Sequence, residues 1–365
     1  MNTPLSVGIV GYGYASKTFH APLIASVPGL KLAAISSSDA AKVHADWSGM
    51  PVDATPTALF ARPDIDLVVI PTPNATHFAL ASEALAAGKH VVVDKPFTVT
   101  LAQAQQLQRQ AEAVKRVLSV FHNRRWDADF LTLRQVIASG ELGRIVHFES
   151  HFDRYRPEVR ARWREQADAG GGLWYDLGPH LLDQVLQLFG LPESIWLDLA
   201  LQRDAAKTND WFHAVLRYGT SRVILHGGAL VAVPAARFTV HGSLGSFIKS
   251  GLDTQEDALK AGQRPPMANW GVDPIPATLT LWHTGISQSR ALPCLTGNYA
   301  AYYEAVRDAI HGVGKNPVTA IEAMQVIGLI ELGLQSAREG RVVSVPVPVA
   351  MPVAAPVAMP VAAPV

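Results

Sequence analysis

The chain has 365 residues, 48% of them hydrophobic and 17% charged, which is enough length and apolar content for two domains with separate cores. Lys plus Arg total 31 and Asp plus Glu total 31, so no global charge draws the chain to nucleic acid or to an anionic membrane surface. One cysteine, Cys294, excludes an internal disulfide and a cysteine-based metal site; with no basic and apolar leader and no run of the ~18 apolar residues a membrane helix needs, the cytoplasm is the expected location.

Leu5 to Val10 reads as a buried strand, and Gly11-Tyr12-Gly13-Tyr14-Ala15-Ser16 follows at once, opening a helical stretch toward Val27. That is the context of a dinucleotide loop. The first glycine allows the tight turn, the second admits a pyrophosphate, and the third position takes a small residue, here Ser16 in place of glycine. The helix start would offer free N–H groups and a positive dipole end to the phosphates, making Gly11, Tyr12, Gly13, Ala15 and Ser16 cofactor candidates.

The next apolar run, Leu30 to Ile35, ends where an acidic residue would hold the ribose of NAD. The chain has Ser36-Ser37-Ser38, then Asp39, with Lys42 a turn later. Hydroxyls beside a cation suit a 2′-phosphate, so NADP is the expected cofactor; Asp39 swinging back to the ribose would favour NAD instead. Ile65 to Ile70 is a third strand, closed by Pro71-Thr72-Pro73-Asn74. A helix capped by Asn74 or Thr76 then runs through His77 to Ala87.

Val91-Val92-Val93 is a short buried strand that stops at Asp94-Lys95-Pro96-Phe97, because Pro96 cannot extend a sheet ladder and pushes Lys95 out of the helical region. Ligands of open parallel sheets bind outside the carboxyl ends of strands, which is where this charged pair falls; a surface turn with a loose ion pair is the competing reading. A helix from Leu101 to Val114 and a strand from Val117 to Phe121 complete a doubly wound pattern over residues 1–122.

Past Phe121 the pattern changes. His122-Asn123-Arg124-Arg125-Trp126 is a polar and aromatic cluster, and a helix follows from about Asp127 to Ile137. Strands are expected at Arg144 to Phe152, Ile195 to Leu201, Trp211 to Arg217, Arg222 to His226, Arg237 to His241, Ser246 to Lys249 and Thr278 to Trp282. Strands without intervening helices predict an α+β domain over 123–345 with a large, mainly antiparallel sheet, one face covered by helices and the other available to a second subunit. Helices near Ala300 to His311 and Ala320 to Arg338 should cover that sheet or return to the first domain. Residues 346–365 repeat Pro, Ala and Val, which predicts an extended low-complexity tail.

Gly170-Gly171-Gly172-Leu173-Trp174-Tyr175-Asp176-Leu177-Gly178-Pro179-His180-Leu181-Leu182-Asp183 enters an apolar helix ending near Phe189. On helical spacing Asp176, His180, Asp183 and Gln187 form one polar stripe. Pro179 limits how early the helix can start, which makes Asp176 a candidate N-cap; the bland reading of His180 is a core histidine. The combined spacing points instead to an imidazole that accepts a proton from an alcohol, oriented by a carboxylate one turn away. Arg154, Arg156, Arg160, Arg162 and Arg164 read either as substrate or phosphate contacts or as partners in ion pairs.

These segments resemble the Gfo/Idh/MocA oxidoreductases, which act on sugars and cyclitols, over about residues 5 to 345. Within that family the chain is most similar to NADP-dependent scyllo-inositol dehydrogenases, through Phe19-His20-Ala21-Pro22-Leu23, His122-Asn123-Arg124-Arg125-Trp126, Arg154-Tyr155-Arg156-Pro157 and Arg162-Trp163-Arg164-Glu165. The resemblance implies an α/β Rossmann domain followed by an α+β domain. It also implies a catalytic set of Lys95, Asp176 and His180, with no metal required, and a cis Lys95-Pro96 bond. Cofactor contacts would extend to Ser36, Ser37, Ser38, Lys42, Pro71, Thr72, Pro73, Asn74, His77, Asp94, Lys95 and Trp163, and substrate contacts to Asn123, Tyr155, Asp176 and His180. Asp94 stands where the family usually has Glu. A polyol substrate and a homodimer or homotetramer are the expected partners.

Overall fold

In the computed structural model, which describes residues 3–167 and 170–346, the chain divides into two compact units. The first takes the chain up to Trp126 with two later returns, Thr254–Gly271 and Asn298–Ile327; the second takes Asp127–Asp253, Val272–Gly297 and the chain from Gly328. A boundary at 122/123 does not anticipate those returns, whose buried aromatic residues complete the first core. Tyr302 donates to Ser119 Oγ at 2.8 Å, and the Tyr303 hydroxyl lies 2.5 Å from His20 Nδ1.

The first unit contains β1 (Leu5–Val10), β2 (Leu30–Ser36), β3 (Val52–Asp53), β4 (Leu67–Ile70), β5 (His90–Asp94) and β6 (Leu118–Phe121), paired in parallel in the order β3-β2-β1-β4-β5-β6. Val7, Ile9, Val68, Val69, Val91, Val92 and Val93 have no exposed surface, as expected of β-branched runs in a sheet covered on both faces. Strand order reverses between β1 and β4, the switch point at which such sheets form a ligand crevice.

The helices of this part are α1 (Ala21–Ser26), α2 (Ala40–Asp46), α3 (Pro56–Phe60), α4 (His77–Ala86) and α5 (Leu101–Ala113). Thr100 starts α5 with a capping box, its hydroxyl accepting from Gln103 N while Gln103 Oε1 accepts from Thr100 N, both at 3.3 Å. Thr76, one of the two expected caps, occupies the N-cap position of α4, but Asn74–Thr76 is a 3₁₀ turn and the Thr76 hydroxyl donates back to Pro73 O at 2.8 Å, making no side-chain cap bond.

The second unit holds α6 (Ala128–Ser139), α7 (Leu173–Phe189) and a nine-stranded sheet. Its strands are β7 (Ile145–His151), β8 (Ser194–Ala200), β9 (Trp211–Tyr218), β10 (Ser221–Gly228), β11 (Phe238–Gly242), β12 (Gly245–Lys249), β13 (Ala277–His283), β14 (Ile286–Leu292) and β15 (Val343–Ser344), in the order β14-β13-β12-β11-β7-β10-β9-β8-β15. Every neighbouring pair is antiparallel except β7 with β10, because β7 inserts between two strands that come much later in the chain. Alternation sets the faces. Phe148, Phe212, Ala214, Leu216, Val223 and Leu225 are buried and α7 packs on β9 and β10; His147, Glu149, His151, His213 and His226 point the other way and are half-buried.

α8 (Gln255–Lys260) and α9 (Ala300–Ile310) belong to the first unit, so the first of the two late helices returns there; α10 (Ala320–Glu339) is divided between the two. Of the expected tail, only Pro346 lies within the described residues. No helix among the described residues is long and apolar enough to cross a membrane.

Candidate active site

In the first unit the sequence-predicted cofactor residues gather at the carboxyl ends of β1, β2 and β4. Gly11 turns with φ +79°, a backbone region that L side chains rarely adopt, and its N–H donates to Ser36 O at 2.7 Å. Ser16, in the place of a third glycine, is buried and donates its hydroxyl to Gly11 O at 2.7 Å. The departure from the glycine pattern therefore closes the loop from within. A side chain at Gly13 would meet nothing within 4 Å, which leaves the space beside the loop that a pyrophosphate requires. Ala15 is half-buried behind it.

Tyr12 is buried and donates to Asp46 at 3.0 Å; burial, with the Asp46 carboxylate, pushes its hydroxyl up to about 12. Ser37 and Ser38 follow the end of β2, with Lys42 exposed on the first turn of α2. Asp39 caps that helix, its carboxylate accepting from Lys42 N at 3.0 Å, and is thereby committed to the backbone. The loop's donors, open space and hydroxyls fit a dinucleotide.

At the end of β4, Pro71, Thr72, Pro73 and Asn74 form the second wall, and Thr72 Cγ2 would lie 3.5 Å from a Cβ on Gly11. His77 is fully buried, with Nε2 2.8 Å from Thr72 O and Nδ1 2.9 Å from Pro96 O. Burial pushes this imidazole below its ordinary pKa, and a neutral ring has one N–H for the two carbonyls. His77 thus braces the β4 loop against the β5 loop from beneath.

Lys95 follows β5, is half-buried, and the Lys95–Pro96 bond is cis. Asp94 accepts from Lys95 N at 2.7 Å, with His20 Nε2 3.8 Å from its other oxygen. Burial alone would raise the Asp94 carboxyl; the interaction with His20 and the charge of Lys95 outweigh it and hold the group at about 2. Asn123 is buried on the 3₁₀ turn Asn123–Trp126.

In the second unit α7 begins earlier than the sequence suggests. Leu173 is its first residue and Pro179 lies inside it, so Asp176 occupies the first turn and is not the N-cap. Asn209, from the segment before β9, caps the helix: its backbone O accepts from Leu173 N at 2.7 Å and its Oδ1 from Trp174 N at 2.8 Å. With these donors satisfied from outside, Asp176 is available to other partners. Gly172 makes the approach possible, with φ +90° and a hypothetical Cβ 2.4 Å from Asn209 Nδ2 and 2.6 Å from Thr208 Oγ1.

Asp176 and His180 share one face at i and i+4. His180 is 6% exposed and stacks on Phe152, with centroids 6.4 Å apart. Arg164 Nε lies 3.3 Å and Arg154 Nη1 3.7 Å from the Asp176 carboxylate, contacts that helical spacing could not reveal. Asp183 is buried on the same helix. Trp163 lies beneath the Arg164 guanidinium, 4.4 Å from its ring centroid, and Tyr155 is 61% exposed.

The arginine-rich segment pairs within its own unit: Arg162 with Glu165 at 2.9 Å, while Arg203 reaches Glu165 and Asp210, each at 2.8 Å. A cleft open to solvent lies among Arg154, Arg156, Arg164, Arg203, Lys207 and Asp176. Burial, with Arg154, Arg162 and Arg160 nearby, lowers the Arg156 guanidinium to about 10. Arg203 and Asn209 come from the loop between β8 and β9, which carries no motif or periodicity in the sequence.

Residues 5–122 match the NAD-binding Rossmann-fold profile of the Gfo/Idh/MocA oxidoreductase family, and residues 134–347 match that family's C-terminal alpha/beta domain profile. The chain is 58% identical to the oxidoreductase YdgJ of Escherichia coli over 93% of its own length and 98% of that protein's. It is 39% identical to the scyllo-inositol 2-dehydrogenase (NADP(+)) IolW of Bacillus subtilis, covering 93% and 95%. The solved structure of the oxidoreductase YPO2259 from Yersinia pestis superposes with a TM-score of 0.92 at 57% identity, over 95% of this chain and 99% of that one.

Proposed function

The chain belongs to the Gfo/Idh/MocA oxidoreductase family, and within it we propose an NADP-dependent dehydrogenase acting on a ring hydroxyl of a cyclitol or sugar, scyllo-inositol-like in class. The IolW relative is named for that substrate and cofactor. Ser36 to Ser38 with Lys42, and an Asp39 already engaged as a helix cap, support a 2′-phosphate over a bare ribose. Assembly as a homodimer or homotetramer in the cytoplasm belongs to the same proposal and is tested by sedimentation.

In this reading His180 accepts the hydroxyl proton as the carbonyl forms, and Lys95 donates a hydrogen bond to the same oxygen, stabilising the negative charge that develops there. Asp176 orients the imidazole, and Arg154 and Arg164 fix Asp176. Bound NADP supplies the hydride acceptor at its nicotinamide. The Gly11 to Gly13 loop, braced from within by Ser16, holds the phosphates, while His77 and Asp94 set the β4 and β5 loops beside it.

The observation that carries this proposal is a nearly buried imidazole, His180, one helical turn from a carboxylate held by two guanidinium groups. The test is a cyclitol and sugar panel assayed with NADP and with NAD, following reduced nicotinamide by absorbance. Turnover of a cyclitol with NADP preferred is the expected result; no turnover on any member would remove the proposal. A second reading, favoured by the arginine-lined cleft, is a polyol or carbonyl substrate bearing an anionic group. A panel that includes sugar phosphates and sugar acids separates the two.

A further inference from the structure

The face of the second sheet turned away from α7 carries a cluster that the reaction above leaves unused. β7 and β10 pair in parallel with His151 directly opposite His226, and the chain leaving β7 brings Asp153 beside both rings. His151 Nδ1 lies 3.4 Å from Asp153 Oδ2, and His226 Nε2 lies 3.6 Å from Asp153 Oδ1. One nitrogen or oxygen of each residue falls within 4.8 Å of those of the other two. Around a tetrahedral Zn²⁺ with bonds of about 2.0–2.1 Å, neighbouring ligand atoms are about 3.3–3.4 Å apart, close to the 3.4 Å between His151 Nδ1 and Asp153 Oδ2; His226 Nε2 faces the other carboxylate oxygen at 3.6 Å.

Burial gives an independent indication. The Asp153 side chain is 2% exposed, and its Oδ1 and the His151 Nδ1 are buried atoms with no hydrogen-bond partner among the described residues. Buried polar atoms are nearly always hydrogen-bonded; here the Asp153 carboxylate meets the two rings only at 3.4 and 3.6 Å, contacts that an ion bound between them would replace with short ligand bonds. The outer nitrogens of both rings are already engaged. His151 Nε2 lies 3.3 Å from Glu149 Oε2, and His226 Nδ1 lies 3.4 Å from His213 Nδ1. With Nε2–H of His151 donating to Glu149, and Nδ1–H of His226 donating to His213, each ring turns a bare lone pair to the shared centre. That arrangement is typical of metal-bound imidazoles.

We propose that His151, Asp153 and His226 form a site for a divalent transition-metal ion of the zinc class, oriented by Glu149 and His213, with the remaining coordination position left to water or an incoming ligand. Two imidazoles and one carboxylate select borderline first-row ions over Mg²⁺ or Ca²⁺, which prefer oxygen. The ion would clip β10 to the chain after β7. Arg154, the residue next to Asp153, reaches Asp176, so occupancy also steadies the arm that holds that carboxylate.

The test uses untagged full-length protein, stripped by chelator and titrated with Zn²⁺ by calorimetry and with Co²⁺ by visible absorption. One ion per chain is expected, with a cobalt d–d band of low-coordinate type. Asp153→Asn and His226→Gln should each weaken binding by ~100-fold or more, and Glu149→Gln by ~10–100-fold. His241→Gln, which removes a ring that stacks on His147 on the same face, should leave binding unchanged. Circular dichroism confirms folding, and if His226→Gln does not fold, the near-isosteric Asp153→Asn decides the matter. No binding at one per chain, binding that survives Asp153→Asn, or equal loss in His241→Gln would each overturn the assignment.

Discussion

Gly172→Ala tests whether the start of α7 is held by the mechanism described. The substitution forces an L side chain to φ +90° and places its Cβ 2.4 Å from Asn209 Nδ2. Left-handed backbone costs a non-glycine residue about 1–2 kcal/mol, and displacing Asn209 removes a helix cap worth about 1 kcal/mol. The sum, about 2–3 kcal/mol, corresponds to a Tm lowered by roughly 4–12 °C for a unit of this size. Asn209→Ala should show the cap's share alone. Because Asp176 and His180 lie on this helix, kcat should fall in Gly172→Ala, while the Kd for NADP, set by the first unit's loop, stays within about twofold. Calorimetry and steady-state kinetics read the two effects. A variant with wild-type Tm and kcat would refute the account of how α7 is positioned.

Two further outcomes are expected. Ser37→Asp sets a carboxylate where a 2′-phosphate is proposed, so kcat/KM with NADP should drop ~10–100-fold relative to NAD; an unchanged ratio in paired kinetics would place the phosphate elsewhere. The surroundings of Asp94 hold its carboxyl at about 2, below the ordinary aspartate value. Its contribution, about 2 kcal/mol, is therefore present above about pH 4 and lost as pH falls from 4 toward 2. Urea midpoints at pH 5, 3 and 2 should drop less steeply in Asp94→Asn than in the parent, and parallel curves would contradict the assignment.

Periodicity and turn chemistry carried much of the fold. The runs Leu67–Ile70 and His90–Asp94, each with three consecutive β-branched residues, and the apolar stretch Leu5–Val10 are strands because a sheet covered on both faces buries such residues well. Elements too short or too polar to show a period were not legible: β3 has two residues, α3 has five, and β14 is exposed along nearly all of Ile286–Leu292. Pro179 is locally a helix-start signal, yet it lies inside α7, whose start is held more than a turn earlier by Asn209. Asn209 as the cap and Arg154 and Arg164 on Asp176 are long-range choices. They depend on which loop meets which helix, and no spacing within the chain encodes that.

The central claim concerns Lys95 and His180, and the most direct measurement is initial-rate formation of NADPH from scyllo-inositol and NADP by the wild type and by the Lys95→Ala and His180→Ala variants. The account predicts turnover by the wild type, a fall of ~10²-fold or more in kcat for each variant, and NADP binding by fluorescence nearly unchanged. Wild-type rates in either variant would contradict it.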